Sequence, residues 1–146
     1  MKILKITALA IFATAMMNAQ DLRMNEVPTN LLTKFQNTYK TASDVEWEME
    51  GVRYNVEFEV NRMDHEIWYT KDGTIVRYEA EITKKDLPTA ISSAIKSNYE
   101  GYQIDSIEVT EVDQKKTYEV ELEKGWTKEM KVVFDVNGKI LSSVED

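Results

Sequence analysis

A similarity between the two halves of the chain constrains its fold more than any other feature. Val27-Pro28-Thr29 in the first half matches Leu87-Pro88-Thr89 in the second, and each is followed at the same distance by a tyrosine, Tyr39 or Tyr99. Further along, matched residues lie 64 or 65 positions apart instead of 60, so the second copy carries a few inserted residues. Agreement at this many ordered positions predicts two copies of one structural unit.

Each copy is predicted to begin with a short amphipathic helix. Pro28 and Pro88 suit a helix start, where the missing N–H needs no partner. Apolar residues then recur at helical spacing and form one apolar face on each helix. They are Leu31, Leu32, Phe35 and Tyr39 in the first copy and Ile91, Ala94, Ile95 and Tyr99 in the second.

Alternating sequences predict strands after each helix. In residues 52–60, Val, Tyr or Phe alternate with Arg, Asn or Glu, and residues 118–123 repeat this pattern with a period of two. Such strands are covered on one face and polar on the other. Asp72-Gly73 and Asn137-Gly138 are predicted to be two-residue hairpin turns, in which both central residues need positive φ.

The predicted fold class is therefore α+β. Two tandem repeats, each a helix followed by four antiparallel strands, would form one curved antiparallel sheet with the helices on one face. The repeats span about 26–83 and 86–146, and together they make a single domain over residues 20–146.

The first nineteen residues are predicted to be a signal peptide. Lys2 and Lys5 precede an uncharged apolar run over residues 6–17, and Ala19 offers a cleavage point before Gln20. The run is shorter than the roughly 20 apolar residues of a membrane span, although a retained N-terminal anchor is the alternative. We expect a periplasmic or secreted protein with no membrane insertion after cleavage.

Composition excludes several classes of function. Without Lys2 and Lys5 the chain keeps 16 of its 18 basic residues against 26 acidic ones, a net charge near −10. This charge argues against binding nucleic acid or anionic lipid. The sequence has no cysteine and one histidine, His65, so it offers neither a cysteine nucleophile nor the ligands of a zinc site. We expect no enzyme activity, no cofactor and no metal.

With these features the chain resembles the PepSY-like family, also described as β-lactamase-inhibitor-like (BLIP-like), of exported proteins from Bacteroidetes-type bacteria. The resemblance rests on the signal peptide, the doubled unit, the glutamate-rich strand 54–59 and the Asp-Gly and Asn-Gly hairpins. It implies two repeats whose sheet forms a concave surface that clamps a protein, and a binding or inhibitory role in the periplasm. The namesake inhibitors carry disulfides that this chain lacks, so inhibition of a β-lactamase is not implied.

The polar face of the sheet in the first copy is the predicted binding surface. In the strand around His65, the alternation assigns Trp68 to the face opposite Ile67 and Tyr69. A tryptophan among polar residues is a common composition for interface hot spots, although Trp68 could instead pack under a loop or against the second copy. The predicted protein-binding residues are Trp68, Arg53, Glu57 and Glu59 on this face, with Tyr78 and Trp126 near its rim.

The expected function is a periplasmic protein-binding module that could inhibit its partner, an unidentified envelope protein. The alternative is a small-ligand or peptide-binding domain of the envelope that uses a pocket between helix and sheet. An envelope hydrolase is the weakest candidate. Glu57 and Glu59 would need a deep cleft and a raised pKa for glycosidase chemistry, and an open sheet face does not supply one.

Overall fold

The computed structural model describes residues 20–145, so the predicted signal peptide over residues 1–19 lies outside the described residues. Strand β1 (Gln20–Leu22) precedes helix α1 (Thr29–Thr38), and helix α2 (Thr89–Asn98) separates two groups of four strands. The first group is β2 (Ser43–Glu50), β3 (Arg53–Val60), β4 (Met63–Tyr69) and β5 (Ile75–Glu81). The second is β6 (Gln103–Val112), β7 (Lys115–Lys124), β8 (Lys128–Asp135) and β9 (Ile140–Glu145).

All nine strands form one antiparallel sheet in the order β1 to β9, so each strand pairs with its neighbours in sequence. Each helix lies in the connection between two paired strands, α1 between β1 and β2 and α2 between β5 and β6. The predicted α+β class with a single antiparallel sheet is confirmed. The sheet has nine strands rather than eight because β1 pairs with β2. The interpretation of the two halves as repeats stays a prediction.

Both helices pack on the same face of the sheet. Direct cross-strand partners share a face, and one row of partners crosses six strands: Phe58, His65, Ala80, Val109, Tyr118 and Phe134. Phe58 packs in a core cluster with Phe35 of α1, and Phe134 packs in a second cluster with Ile91 of α2. The sheet therefore has one face covered by helices, and the opposite face is called the open face below.

The helices begin and end near the residues that the sequence indicated. Pro28 and Pro88 are the N-cap residues, and their carbonyl groups accept the first backbone hydrogen bonds of α1 and α2. Tyr39 and Tyr99 are the C-cap residues, and their N–H groups donate to carbonyl oxygens four residues earlier. The helical periodicity in the sequence therefore located both elements.

The predicted turn type at Asp72-Gly73 and Asn137-Gly138 is wrong, although both pairs do lie in hairpins. Only the glycines have positive φ, 91° and 80°, and each glycine N–H donates to the carbonyl three residues earlier. Each connection is a turn whose last residue alone adopts the left-handed conformation, which leaves the Asp and Asn at negative φ. The two-residue turns with positive φ at both positions are Asn61-Arg62 and Asp113-Gln114.

Gly138 is expected to be the least replaceable glycine in these turns. A Cβ there would lie 2.5 Å from the carbonyl oxygen of Ala90 in α2, so Gly138→Ala must move the helix as well as strain the backbone. We expect the free energy of unfolding to fall by about 2–4 kcal/mol. Gly125→Ala is the matched control, because its φ is +67° and its Cβ would meet no atom within 4 Å. It should cost about 1 kcal/mol. Equal losses for both variants in urea denaturation would contradict the close approach of α2.

Candidate functional site

The open face carries a line of four glutamates on four neighbouring strands. Glu46 of β2, Glu57 of β3, Glu66 of β4 and Glu79 of β5 are successive cross-strand partners, and we call them the glutamate row. Direct partners have Cβ atoms about 4.5–5.5 Å apart, and like charges at this spacing destabilise a sheet. The row therefore brings four acidic side chains together at a cost to the stability of the sheet.

The glutamate row forms the floor of a groove of about 330 Å³. Five further acidic residues line this groove, together with three others: Asp44, Glu59, Asp64, Glu81 and Glu108, and Phe58, His65 and Ala80. Its strongly negative lining suits a positively charged group on a binding partner.

Glu66 is the most perturbed carboxyl group of the row. Its pKa is raised to about 7, chiefly by burial and also by the neighbouring carboxylates of Glu57 and Glu79, against a hydrogen bond from Asn55 that lowers it. Asn55 Nδ2 donates to Glu66 Oε1 over 2.6 Å. Near neutral pH this carboxyl group is therefore divided between its charged and neutral forms.

Arg77 neutralises charge at the β5 end of the row. Its guanidinium forms an ion pair with Glu79, and the Thr110 hydroxyl donates to the same carboxylate oxygen over 3.2 Å. The same guanidinium lies over the Trp68 ring, 5.1 Å from the ring centroid, as a cation–π contact. Arg77 thus links the glutamate row to the tryptophan beside it.

Trp68 lies on the open face, as its strand position predicted, and is half-buried there. Its Nε1–H donates to Glu50 Oε2 over 3.0 Å. Because Glu50 is on β2 and Trp68 is on β4, the indole must extend across β3. Trp68 is thus held between Glu50 and Arg77, and neither a loop nor the second half of the chain is needed to bury it.

Asn55 is a site residue that the sequence analysis missed. It is the cross-strand partner of Trp68 and is fully buried, with 0% exposure, although it belongs to the open face. The indole that reaches from Trp68 to Glu50 crosses β3 at this position and accounts for the burial. Its Nδ2 contacts Glu66, whereas its Oδ1 has no hydrogen-bond partner.

Of the other residues predicted for this surface, the structure groups three with Trp68 and leaves two apart, Trp126 and Tyr78. Arg53, Glu57 and Glu59 share the open face with Trp68, since all three are an even number of positions from Asn55 along β3. Trp126 is fully exposed in the turn between β7 and β8. The cross-strand partners of Trp68 lead across the sheet to Lys115, the first residue of β7. Trp126 follows the last residue of that strand, so it lies about 30 Å from Lys115.

Tyr78 is on the helix-covered face, so its expected place at the rim of the polar face is wrong. Trp68 pairs with Arg77 and Tyr69 pairs with Ile75, which leaves one extra residue in β5 as a bulge. This bulge reverses the alternation, so Tyr78 pairs with Ile67 on the covered face.

His65 also lies on the covered face and is built into the packing there. Its ring stacks on Phe58 with centroids 5.2 Å apart, and its Nδ1 shares a 3.0 Å hydrogen bond with the Tyr78 hydroxyl. Burial lowers the pKa of His65, against the nearby carboxylates of Asp64 and Glu81, which raise it. These contacts give His65 a packing role on the covered face, and it is also among the residues that border the groove of the glutamate row.

Neither a metal-binding cluster nor a membrane-spanning helix is present among the described residues 20–145. No group of three or more histidine, aspartate or glutamate side chains there could hold a metal ion. Within the same part of the chain, no helix is long and apolar enough to cross a membrane.

The sequence matches a protein-family model described as "Putative beta-lactamase-inhibitor-like, PepSY-like" over residues 14–77 and 52–142. No curated protein matches the chain at a significant level. The family match extends over both halves of the chain and includes the strands of the glutamate row.

Several solved structures share the fold. A DUF2874 family protein from Bacteroides uniformis is 19% identical, with a TM-score of 0.63 over 81% of this chain and 88% of that one. One of the "putative periplasmic proteins" of Bacteroides eggerthii is 17% identical, with a TM-score of 0.64 over 82% and 88%. A BLIP-like protein from Bacteroides fragilis is 22% identical, with a TM-score of 0.59 over 81% and 86%. At these identities the likeness shows the fold alone.

The raised pKa of Glu66 predicts a specific dependence of stability on pH. The folded state holds the Glu66 proton more tightly than the unfolded chain, in which the pKa is about 4.5. The contribution of protonated Glu66 to the free energy of unfolding is therefore full below about pH 4.5 and is lost as the pH rises through about 7. Glu66→Gln should remove this loss and stabilise the fold by about 1 kcal/mol at pH 8, after allowance for solvent screening.

Urea denaturation at several pH values between about 4.5 and 8 would measure this effect. Glu123→Gln makes the same charge change at an exposed position of the second half and should keep the pH profile of the unmodified protein. A Glu66→Gln profile parallel to that of the unmodified protein would contradict the burial of this carboxyl group.

Proposed function

The chain belongs to the beta-lactamase-inhibitor-like, PepSY-like family, and from this membership and its open face we propose that it is a protein-binding module of the bacterial periplasm. The open face would bind the partner, and Trp68 would be the anchor of the interface. Inhibition of the partner is the narrower form of the same proposal. Binding rather than catalysis is proposed because the one histidine is packed on the covered face.

The observation that carries the proposal is a fixed tryptophan beside a charged groove. Trp68 is held on the open face by a hydrogen bond to Glu50 and a contact with Arg77, so little side-chain freedom would be lost on binding. A rigid aromatic side chain next to polar groups is typical of interface hot spots. The acidic groove beside it would favour a basic partner and speed its association.

The periplasmic location is supported by two independent observations. The N-terminal sequence has the charge and apolar run of a signal peptide. One protein of the same fold, 17% identical, is described as one of the "putative periplasmic proteins" of Bacteroides eggerthii. The identity of the partner does not follow from either of these observations.

The proposal also treats the two halves of the chain as repeats that have diverged in function. The element order supports this, because each helix connects two paired strands in the same way. Trp68 corresponds to Val133 in the second half, and Arg53 corresponds to Thr117. The differences on the open face are therefore the reason for placing the binding surface in the first half.

A groove on the covered face supports the small-ligand alternative. It has a volume of about 480 Å³ and is lined in part by Tyr39, Ile75, Tyr78 and Glu111. Binding of a small ligand there would raise the melting temperature of the protein by mass action. A thermal-shift screen of envelope metabolites and peptides separates this alternative from protein binding.

Replacement of Trp68 tests the proposed function. Trp68→Ala should keep the fold, because both core clusters lie on the other face, and should weaken partner binding at least about 30-fold, as expected of a hot spot. Val133→Ala changes the corresponding position of the second half and should bind as the unmodified protein does. The partner would be captured from envelope extract, identified and purified, and its affinity for each variant measured by titration calorimetry. Undiminished affinity of a folded Trp68→Ala variant would contradict the proposal.

A further inference from the structure

We infer that the glutamate row is a slot for a lysine or arginine side chain of a basic protein partner, with Glu66 and Asn55 at its centre. This inference rests on the proposed function and adds the chemistry of the group that the open face recognises. Three observations carry it: the contrast with the second half of the chain, the charge state of the carboxyl groups, and a buried asparagine that holds Glu66 in the row.

The second half already holds a cation at the corresponding place. In the β7–β8 pair, Lys131 is the direct partner of Glu121, just as Glu66 is the direct partner of Glu57 in the β3–β4 pair. Lys131 Nζ lies 3.2 Å from Glu121 Oε1 and 2.9 Å from Glu119 Oε1. The first half thus has a carboxylate, that of Glu66, at the position where the second half has the ammonium group of Lys131.

The pKa shifts of the carboxyl groups in the two strand pairs reflect this difference in charge. In the second half, bonds from Ser106 and Lys131 lower the pKa of Glu121. In the first half, burial and the neighbouring carboxylates raise the pKa of Glu66, even though Arg77 pairs with Glu79 at the end of the row. A cation bound at Glu66 would give the first half the charge balance that Lys131 gives the second.

Asn55 fixes the position of Glu66 in the row. Its side chain is fully buried, and its amide is turned toward the row because Nδ2 bonds Glu66. The Oδ1 atom accepts no hydrogen bond. A buried acceptor without a partner costs about 1–3 kcal/mol. Because this oxygen is itself buried, no group in the groove reaches it, and the fold bears this cost while Asn55 holds Glu66 in place through Nδ2.

The surroundings of the row favour a protein side chain. The row crosses four strands, a length of about 14 Å, and the groove above it is open to solvent along the sheet. Trp68 lies beside the groove, and the Arg77 guanidinium over its ring shows that this aromatic surface suits a cation.

Titration with a basic peptide followed by NMR tests the slot. The probe is an acetylated and amidated tetralysine peptide, added to ¹⁵N-labelled protein at about 0.15 M salt to suppress long-range attraction. We expect saturable shifts centred on the backbone amides of Asn55, Glu57 and Glu66. Glu66→Lys, which supplies the cation as Lys131 does, should weaken binding about tenfold or more. Glu66→Gln should weaken it less and serves if Glu66→Lys does not fold.

Glu123→Lys is the matched control, because it makes the same change of charge at an exposed position of the second half. Its affinity for tetralysine should change less than about twofold. Equal weakening by Glu66→Lys and Glu123→Lys, or shifts spread over all acidic residues without saturation, would overturn the slot. If spermidine binds the row as tightly as tetralysine does, the slot takes free polyamines, and the inference of a slot for a protein side chain is contradicted.

The same measurements separate this inference from the proposed function. If tetralysine does not bind but the purified partner still does, the slot is wrong and the proposed function stands. If tetralysine binds the row but Trp68→Ala leaves partner affinity unchanged, the slot stands and the anchor assigned to Trp68 is wrong.

Discussion

The continuous antiparallel register from β1 to β9 is the constraint on which the rest of the structure depends. Because cross-strand partners share a face, this register collects the apolar residues of the long strands on the face that α1 and α2 cover. The same register brings polar residues from different strands side by side on the open face. The core and the glutamate row are therefore two consequences of one pairing pattern.

Much of the fold could be predicted from the sequence, because apolar periodicity reports directly which positions are buried. The open-face positions of Trp68 and Glu57 followed from simple alternation. Tyr78 did not, because one extra residue in β5 reverses the alternation and leaves no trace in composition. Asn55 and the glutamate row were also missed, since their contacts depend on the register between strands, which local sequence does not specify.

The first half of the chain keeps a conflict that the second half resolves. Four glutamates stand in direct cross-strand contact in the first half, whereas Lys131 pairs with two carboxylates in the second. Proteins retain local conflicts of this kind mainly at functional sites, where a ligand supplies what the fold lacks. The binding role proposed for the open face would therefore explain the cost of the row.

Carboxyl footprinting of the complex with the purified partner tests the central claim most directly. Carbodiimide coupling labels accessible carboxyl groups, and mass spectrometry reports the labelling of each residue with and without the partner. The account predicts that the partner protects Glu57 and Glu66 of the row while Glu123 and Glu129 of the second half stay labelled. Protection of Glu123 and Glu129 with unchanged labelling of the row would contradict it.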